Sequence, residues 1–370
     1  MKKVSILLAA VVLLSVFGVF ATPMASAAST GKPVIAVDLA HGENPKGLTP
    51  VTYKNKTLTD GMLDVLTQYT FVYIGETQYE DELGIKSIGT KITYEALHNN
   101  NVTMLVLGQP TSPFLPDEIK AIRKWLLEGG HVLWIAGDSD YGNGVKTQQF
   151  VDSLLDQLNL TNLRVDLCSV EDAVSNAGGK SYRVVAYDDP WKDTPYRSIL
   201  VENLKHDGKI LAHGPGVVAW VDNPDGSGAW HQLNETSKPK ETYVIVHSSN
   251  SSDITENNPP AGKAYSAGET GQFPIVAAQI INIPNKKPDV IIVSGETPIG
   301  GYEPMWTSQY YGVQLDGPQV ISNIFKWSLT ISSKGLPTTT TSSGGGGSSI
   351  CGPALIVGLA AIPLLLRRRK

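Results

Sequence analysis

Cysteine is almost absent, with two in 370 residues, Cys168 and Cys351. Only Cys168 falls in the part that reads as folded, so no intrachain disulfide framework is available. A body of roughly 300 residues does not need one, because a chain that long buries an ample core. Charge is scarce as well, at 18% of residues. Removing the six Lys and Arg of the two terminal segments leaves 24 Lys+Arg against 35 Asp+Glu, a net of −11. An acidic body without basic clusters excludes a nucleic-acid partner. Neither the phosphate-loop pattern nor the dinucleotide glycine fingerprint occurs, and no cofactor is expected.

What is present begins at the ends. Lys2 and Lys3 precede an apolar or small-residue run from Ile6 to Phe20, then Pro23 and the small trio Ala25-Ser26-Ala27. This layout predicts a secretory signal over 1–27, because the run is shorter than the ~20 residues of a membrane span. At the other end, 335–350 is a Thr/Ser/Gly-rich spacer that cannot bury a core. Residues 351–370 hold Cys351-Gly352-Pro353, an apolar stretch from Ala354 to Leu366 and four terminal cations. Those cations stay on the cytoplasmic side. This order of parts resembles the archaeal C-terminal sorting signals named for the Cys-Gly-Pro tripeptide, typical of Thermococcales surface proteins. The resemblance implies that the tail is removed and that Cys351 carries a lipid; the alternative is a plain membrane anchor. Both place 28–334 outside the cell, attached to the outer face of the membrane. Exported chains are glycosylated at N-x-S/T sequons, and Asn55, Asn234 and Asn250 are the expected sites.

The first half of the body alternates strand and helix. Apolar runs at 33–39, 71–75, 102–107, 131–136 and 163–167 read as strands. Helical spacing appears at 59–69, 92–98, 148–158 and after Pro116, where Asp117 and Glu118 sit at the positive end of the helix dipole. Alternating units of this length predict an α/β fold, an open, doubly wound, flavodoxin-like and mainly parallel sheet. The second half is richer in strands and reads as insertions, followed by a last helix over 319–329.

Three motifs carry a second resemblance. A first strand ends in Asp38-Leu-Ala-His41-Gly-Glu43. Another ends in Leu107-Gly-Gln-Pro110 before Phe114-Leu-Pro-Asp-Glu118. A helix ends in Glu128-Gly-Gly-His-Val-Leu-Trp134. The body thereby resembles class I glutamine amidotransferase-like domains, nearest the non-catalytic type of gliding-motility transporter accessory proteins and intraflagellar-transport proteins. The resemblance implies an amidotransferase-like sheet without the enzyme's nucleophile: no Cys stands at the expected elbow, and Cys168 lacks the flanking glycines such an elbow needs.

Asp38, His41 and Glu43 lie just past the carboxyl end of the first strand, where open α/β sheets bind ligands. Asp138 and Asp140 follow the fourth strand on the same edge. Carboxylates with a histidine suit sugar hydroxyls or a divalent metal; the spacing matches no standard metal motif, and whether a metal binds stays open. Ser139, in Gly137-Asp-Ser-Asp140, has an Asp-x-x-His only upstream, at Asp38 to His41. Trp191, Trp220, Trp230, Trp306, Tyr302, Tyr310 and Tyr311 offer a stacking platform for sugars or simply core. The reading is a surface-anchored, non-catalytic binding module, with envelope carbohydrate or a transporter subunit as partner. The alternatives are an exported hydrolase using Asp38, His41 and the Asp138 region, and a structural envelope component.

Overall fold

The structure is a computed structural model and describes residues 31–337. The expected signal at 1–27, the expected spacer beyond residue 337 and Cys351 lie outside the described residues.

Nine strands form the main sheet, in the spatial order Thr70–Ile74, Val34–Asp38, Val102–Leu107, Val132–Ala136, Asp289–Ser294, Pro274–Ile281, Thr242–His247, Arg183–Asp188, Lys209–His213. The first five are mutually parallel. The remaining pairings are all antiparallel. Four of the five apolar runs of the first half, 33–39, 71–75, 102–107 and 131–136, do lie parallel in one sheet, at nearly the expected positions. The sheet as a whole is mixed, and the expectation of a mainly parallel, doubly wound fold is overturned. A second, five-stranded sheet in the order Trp230–Gln232, Gly216–Val221, Leu163–Asp172, Ser252–Thr255, Thr270–Gly271 is antiparallel throughout.

The overturning strand is Leu163–Asp172. It was expected to be the fifth parallel strand and instead crosses to the middle of the second sheet. Strands covered on both faces read as continuous apolar runs, and this one alternates Arg164, Asp166 and Asp172 with apolar residues. The place beside Val132–Ala136 goes to Asp289–Ser294, whose VIIV core is apolar on both faces and fully buried.

Successive residues of the parallel strands feed opposite cores, as the two-residue strand period requires. Ile35, Val37, Met104, Val106, Trp134 and Ile292 join one apolar cluster with Phe325 and Trp327 of the last helix, Gly317–Lys334. Ala36, Leu105, Leu107, Leu133, Ile135 and Ile291 join the other, with Ile122 and Trp125 of Pro116–Leu126 and Leu154 and Leu158 of Gly144–Leu158. Each fully buried large apolar side chain contributes about 1.5–3 kcal/mol. The helix expected over 59–69 shrinks to Met62–Val65, because Val51–Tyr53 and Lys56–Thr59 form a hairpin just before it.

Two glycines bring the sheets together at the carboxyl ends of the parallel strands. A Cβ on Gly137 would stand 2.8 Å from Val165, and one on Gly295 only 1.9 Å from the Gly216 carbonyl oxygen. The same two residues start the segments that carry Asp138 and Glu296.

Candidate functional site

The predicted site set divides in two. Asp38 ends its strand fully buried, and its Oδ1 accepts the Ala40 amide at 2.9 Å. His41 Nδ1 pairs with Asp38 Oδ2 at 2.6 Å, and Nε2 with Glu118 Oε2 at 3.1 Å. Although its burial pulls toward the neutral form, the hydrogen bonds it donates to Asp38 and Glu118 raise the imidazole to about 10. The ring also lies 4.2 Å from that of Phe114. Glu43 is buried, accepts the His41 amide at 3.1 Å, and is raised well above the usual carboxylate range by burial and by Asp38. Both nitrogens of His41 are therefore committed, and the group is a buried cation tying the first strand's loop to the helix Pro116–Leu126.

Asp140 is also committed. It is fully buried, and its carboxylate accepts the Ser169 hydroxyl, the Asn257 amide and the Asn258 amide, which fastens the 257–258 loop to the second sheet. Asp138 alone of the predicted set reaches an open cavity. That cavity holds about 580 Å3, within the range of small-ligand sites, and is lined by Gln109, Asp138, Ser139, Tyr182, His213 and Tyr302 among others. The convergence of Asp38, His41 and Asp138 on one cleft is not found: neither Asp38 nor His41 lines this cavity.

Gln109 and Asp138 reach the cavity from the carboxyl ends of the adjacent strands Val102–Leu107 and Val132–Ala136, and Glu296 is buried against Gln109 without itself lining it. Gln109 follows Val102–Leu107 and donates to Glu296 Oε1 at 3.1 Å. Glu296 follows Asp289–Ser294, is buried, also accepts the Thr297 amide at 2.8 Å, and leaves Oε2 without a partner. Burial, then the nearby Asp138, hold it well above the usual carboxylate range. Asp138 accepts the Ser139 amide at 2.7 Å and is pushed up to about 6 by burial. His213, at the end of Lys209–His213, is pushed down to about 4 by burial and then by Arg183, so it is neutral at pH 7. Its Nε2 is buried without a hydrogen-bond partner.

Aromatic rings frame the mouth. Tyr302 packs on His213 with centroids 4.8 Å apart and the rings tilted by 30°, and Tyr182 meets it edge-on at 5.6 Å. Tyr302 is 67% exposed, and Tyr141, also on the lining, 74%. Large rings are not left in water by core packing, so this exposure separates them from Trp306 and Tyr310, which are buried. Of the aromatic set named from sequence, Tyr302 lines the cavity and Tyr311 lies outside it, half-exposed.

Sequence reasoning missed His213, Tyr182 and Glu296. For Glu296 a signal was there: Ala136-Gly137-Asp138-Ser139 and Ser294-Gly295-Glu296-Thr297 share one pattern, an apolar run, a glycine, an acid and a hydroxyl residue. Among the described residues, no group of three or more His, Cys, Asp or Glu is placed to hold a metal ion. Asn55, Asn234 and Asn250 are all exposed.

No protein family and no curated protein matches the chain. Among solved structures, one described as the mmIFT52 N-terminal domain is similar with a TM-score of 0.44 and 12% identity, over 80% of this chain and 97% of that one. The likeness is weak.

Proposed function

We propose that this chain is a non-catalytic binding module that holds a polyhydroxylated ligand, an envelope glycan, in the cavity beside Asp138. The carrying observation is the pairing of exposed Tyr141, Tyr182 and Tyr302 with the polar floor of Gln109, Asp138 and His213. Sugar rings present apolar C–H faces that stack on aromatic rings and hydroxyls that donate to carboxylates. The Asp138 carboxylate and the Gln109 side-chain amide, both on the lining, supply an acceptor and a donor.

Hydrolysis through Asp38 and His41 is disfavoured by the chemistry of that pair. A general base needs a free nitrogen near its substrate, and His41 has neither a free nitrogen nor a place on the cavity. Ser139 Oγ accepts the Tyr141 amide at 3.2 Å, which fits a turn. The module is exported and held at the outer face of the membrane by its C-terminal end, with the 335–350 spacer setting its distance; this part of the reading rests on the terminal sequences.

The test is a titration of the purified body with neutral oligosaccharides, followed by tyrosine fluorescence and calorimetry. Saturable binding that Tyr302→Ala weakens roughly fivefold, through loss of ring stacking worth about 1 kcal/mol, is the expected result. Binding unchanged by Tyr302→Ala and Asp138→Asn would refute the site. Capture of a transporter subunit through the same face, with no oligosaccharide bound, would replace the glycan by a protein partner.

A further inference from the structure

The aromatic row does not stop at the cavity. Arg183 and His213 are directly opposed residues of neighbouring antiparallel strands, so their side chains share one face of the sheet. The Arg183 guanidinium lies 5.3 Å from the Tyr182 ring centre and 4.2 Å from that of Tyr311. Tyr311 in turn lies 5.4 Å from Tyr53, and Lys54 sits 5.2 Å over Tyr53. Tyr302, Tyr182, Arg183, Tyr311 and Tyr53 thus form one ridge leading out of the cavity.

Two features mark this ridge as built. Tyr311 has φ +44 and stays 42% exposed; a bulky residue in the left-handed region is costly and persists where its surroundings fix it. Gly178, itself at φ +68, provides the room: a Cβ there would stand 2.7 Å from the Tyr311 ring and 3.1 Å from an Arg183 terminal nitrogen.

The charges segregate along the ridge. Asp138 and Glu171 line the cavity, and Glu303 is buried beside it, 3.7 Å from His213 Nε2. Outside, among the described residues, neither Arg183 nor Lys54 has an ion-pair partner. In a body of net −11, a guanidinium held between tyrosine rings without a carboxylate is unusual. Arginine presents a planar fork that matches a carboxylate or sulfate.

We propose that the ligand is an acidic oligosaccharide, with a neutral residue in the cavity and a carboxylate- or sulfate-bearing residue on the ridge at Arg183. This rests on the glycan reading above. An acidic cavity rejects the charged residue, and the ridge accepts it, so the arrangement also sets the direction of the chain.

The experiment compares matched pairs: oligouronides against their methyl esters, and sulfated oligosaccharides against their desulfated forms, by calorimetry at low and high salt. The acidic member is expected to bind roughly tenfold tighter or more, as one charge-assisted contact supplies, with the difference shrinking in salt. Arg183→Gln abolishes the preference and Arg183→Lys restores part of it, whereas Tyr302→Ala weakens both members alike. If Arg183→Gln does not fold, Tyr311→Ala and the salt dependence still decide. Equal binding of both members overturns the acidic assignment and leaves the cavity reading standing. No binding of any pair overturns both.

Discussion

His41 shows how a residue chosen for chemistry turns out to serve structure. Its folded pKa of about 10 stands above its ordinary 6.5, so its contribution to stability is complete below pH 6.5 and is lost as pH rises toward 10. The melting temperature of the parent should therefore fall across that window, measured against His41→Gln, which lacks the titration. His41→Ala should cost about 3–5 kcal/mol in denaturant unfolding, because Asp38 and Glu118 are left as buried, unpaired charges. A loss below 1 kcal/mol would show that the pairing with His41 contributes little to the fold. Asp138 makes the opposite kind of prediction. Its carboxylate titrates near 6, so if it accepts a ligand hydroxyl, affinity should fall as pH drops through 6, and Asp138→Asn should flatten that profile. A pH-independent affinity in the parent would remove Asp138 from the contact. Asp38 and His41 were legible in sequence as a polar pair three residues apart. Glu118, 77 residues away, was visible only as a helix-start acid, since no spacing rule reports a contact across the sheet.

The strand Leu163–Asp172 decides the architecture at the scale of elements, and its polar residues explain how. Asp166 accepts the amides of Lys263, Ala264 and Tyr265 at 2.7–2.8 Å, so one buried carboxylate organises a loop 97–99 residues further on. Arg164, fully buried, donates to the Asp156 carboxylate and to carbonyls of Thr161, Leu163 and Pro224. Asp166→Ala should destabilise by about 2–4 kcal/mol, since hydrogen bonds to a charged group are worth about 1.5–3 kcal/mol and the freed amides are partly buried. Hydrogen exchange at 263–265 should rise in step; unchanged protection there would mean the loop is held by packing instead. Cys168 sits in the same strand, fully buried, and burial pushes its thiol up. Alkylation should wait for global unfolding. Periodicity found this element but not its neighbours: apolar runs locate strands, whereas the partner and direction depend on which strand fills each place. Alternating polar residues were the available clue that Leu163–Asp172 does not belong between two helical layers.

For the whole molecule, what was legible followed sequence locality. The five parallel strands include four of the five read from the first half, each followed by a local helix or loop; the fifth, Asp289–Ser294, arrives as one arm of a local hairpin with Pro274–Ile281, and its pairing with the distant Val132–Ala136 could not be seen from period alone. The site inherits this mixture: Gln109 and Asp138 come from the legible half, His213 and Glu296 from the other. The ends of the chain pose the remaining question, which is where such a module works. A binding face that grips an extended polymer gains by being fixed to a surface, because tethering raises its effective concentration. The apolar stretch from Ala354 to Leu366 is short for a span, and the cysteine ahead of it is suited to lipid attachment. On the lipid reading the apolar tail is removed, so the lipid on Cys351 is what holds the body to the membrane. In a host that carries out the processing, Cys351→Ser should therefore release the body into the medium, with the parent remaining in the membrane fraction after a salt wash. Mass spectrometry of the parent should find the chain ending near Cys351, without Arg367–Lys370. Retention of Cys351→Ser in the membrane with that basic tail still attached would establish the plain anchor and remove the lipid.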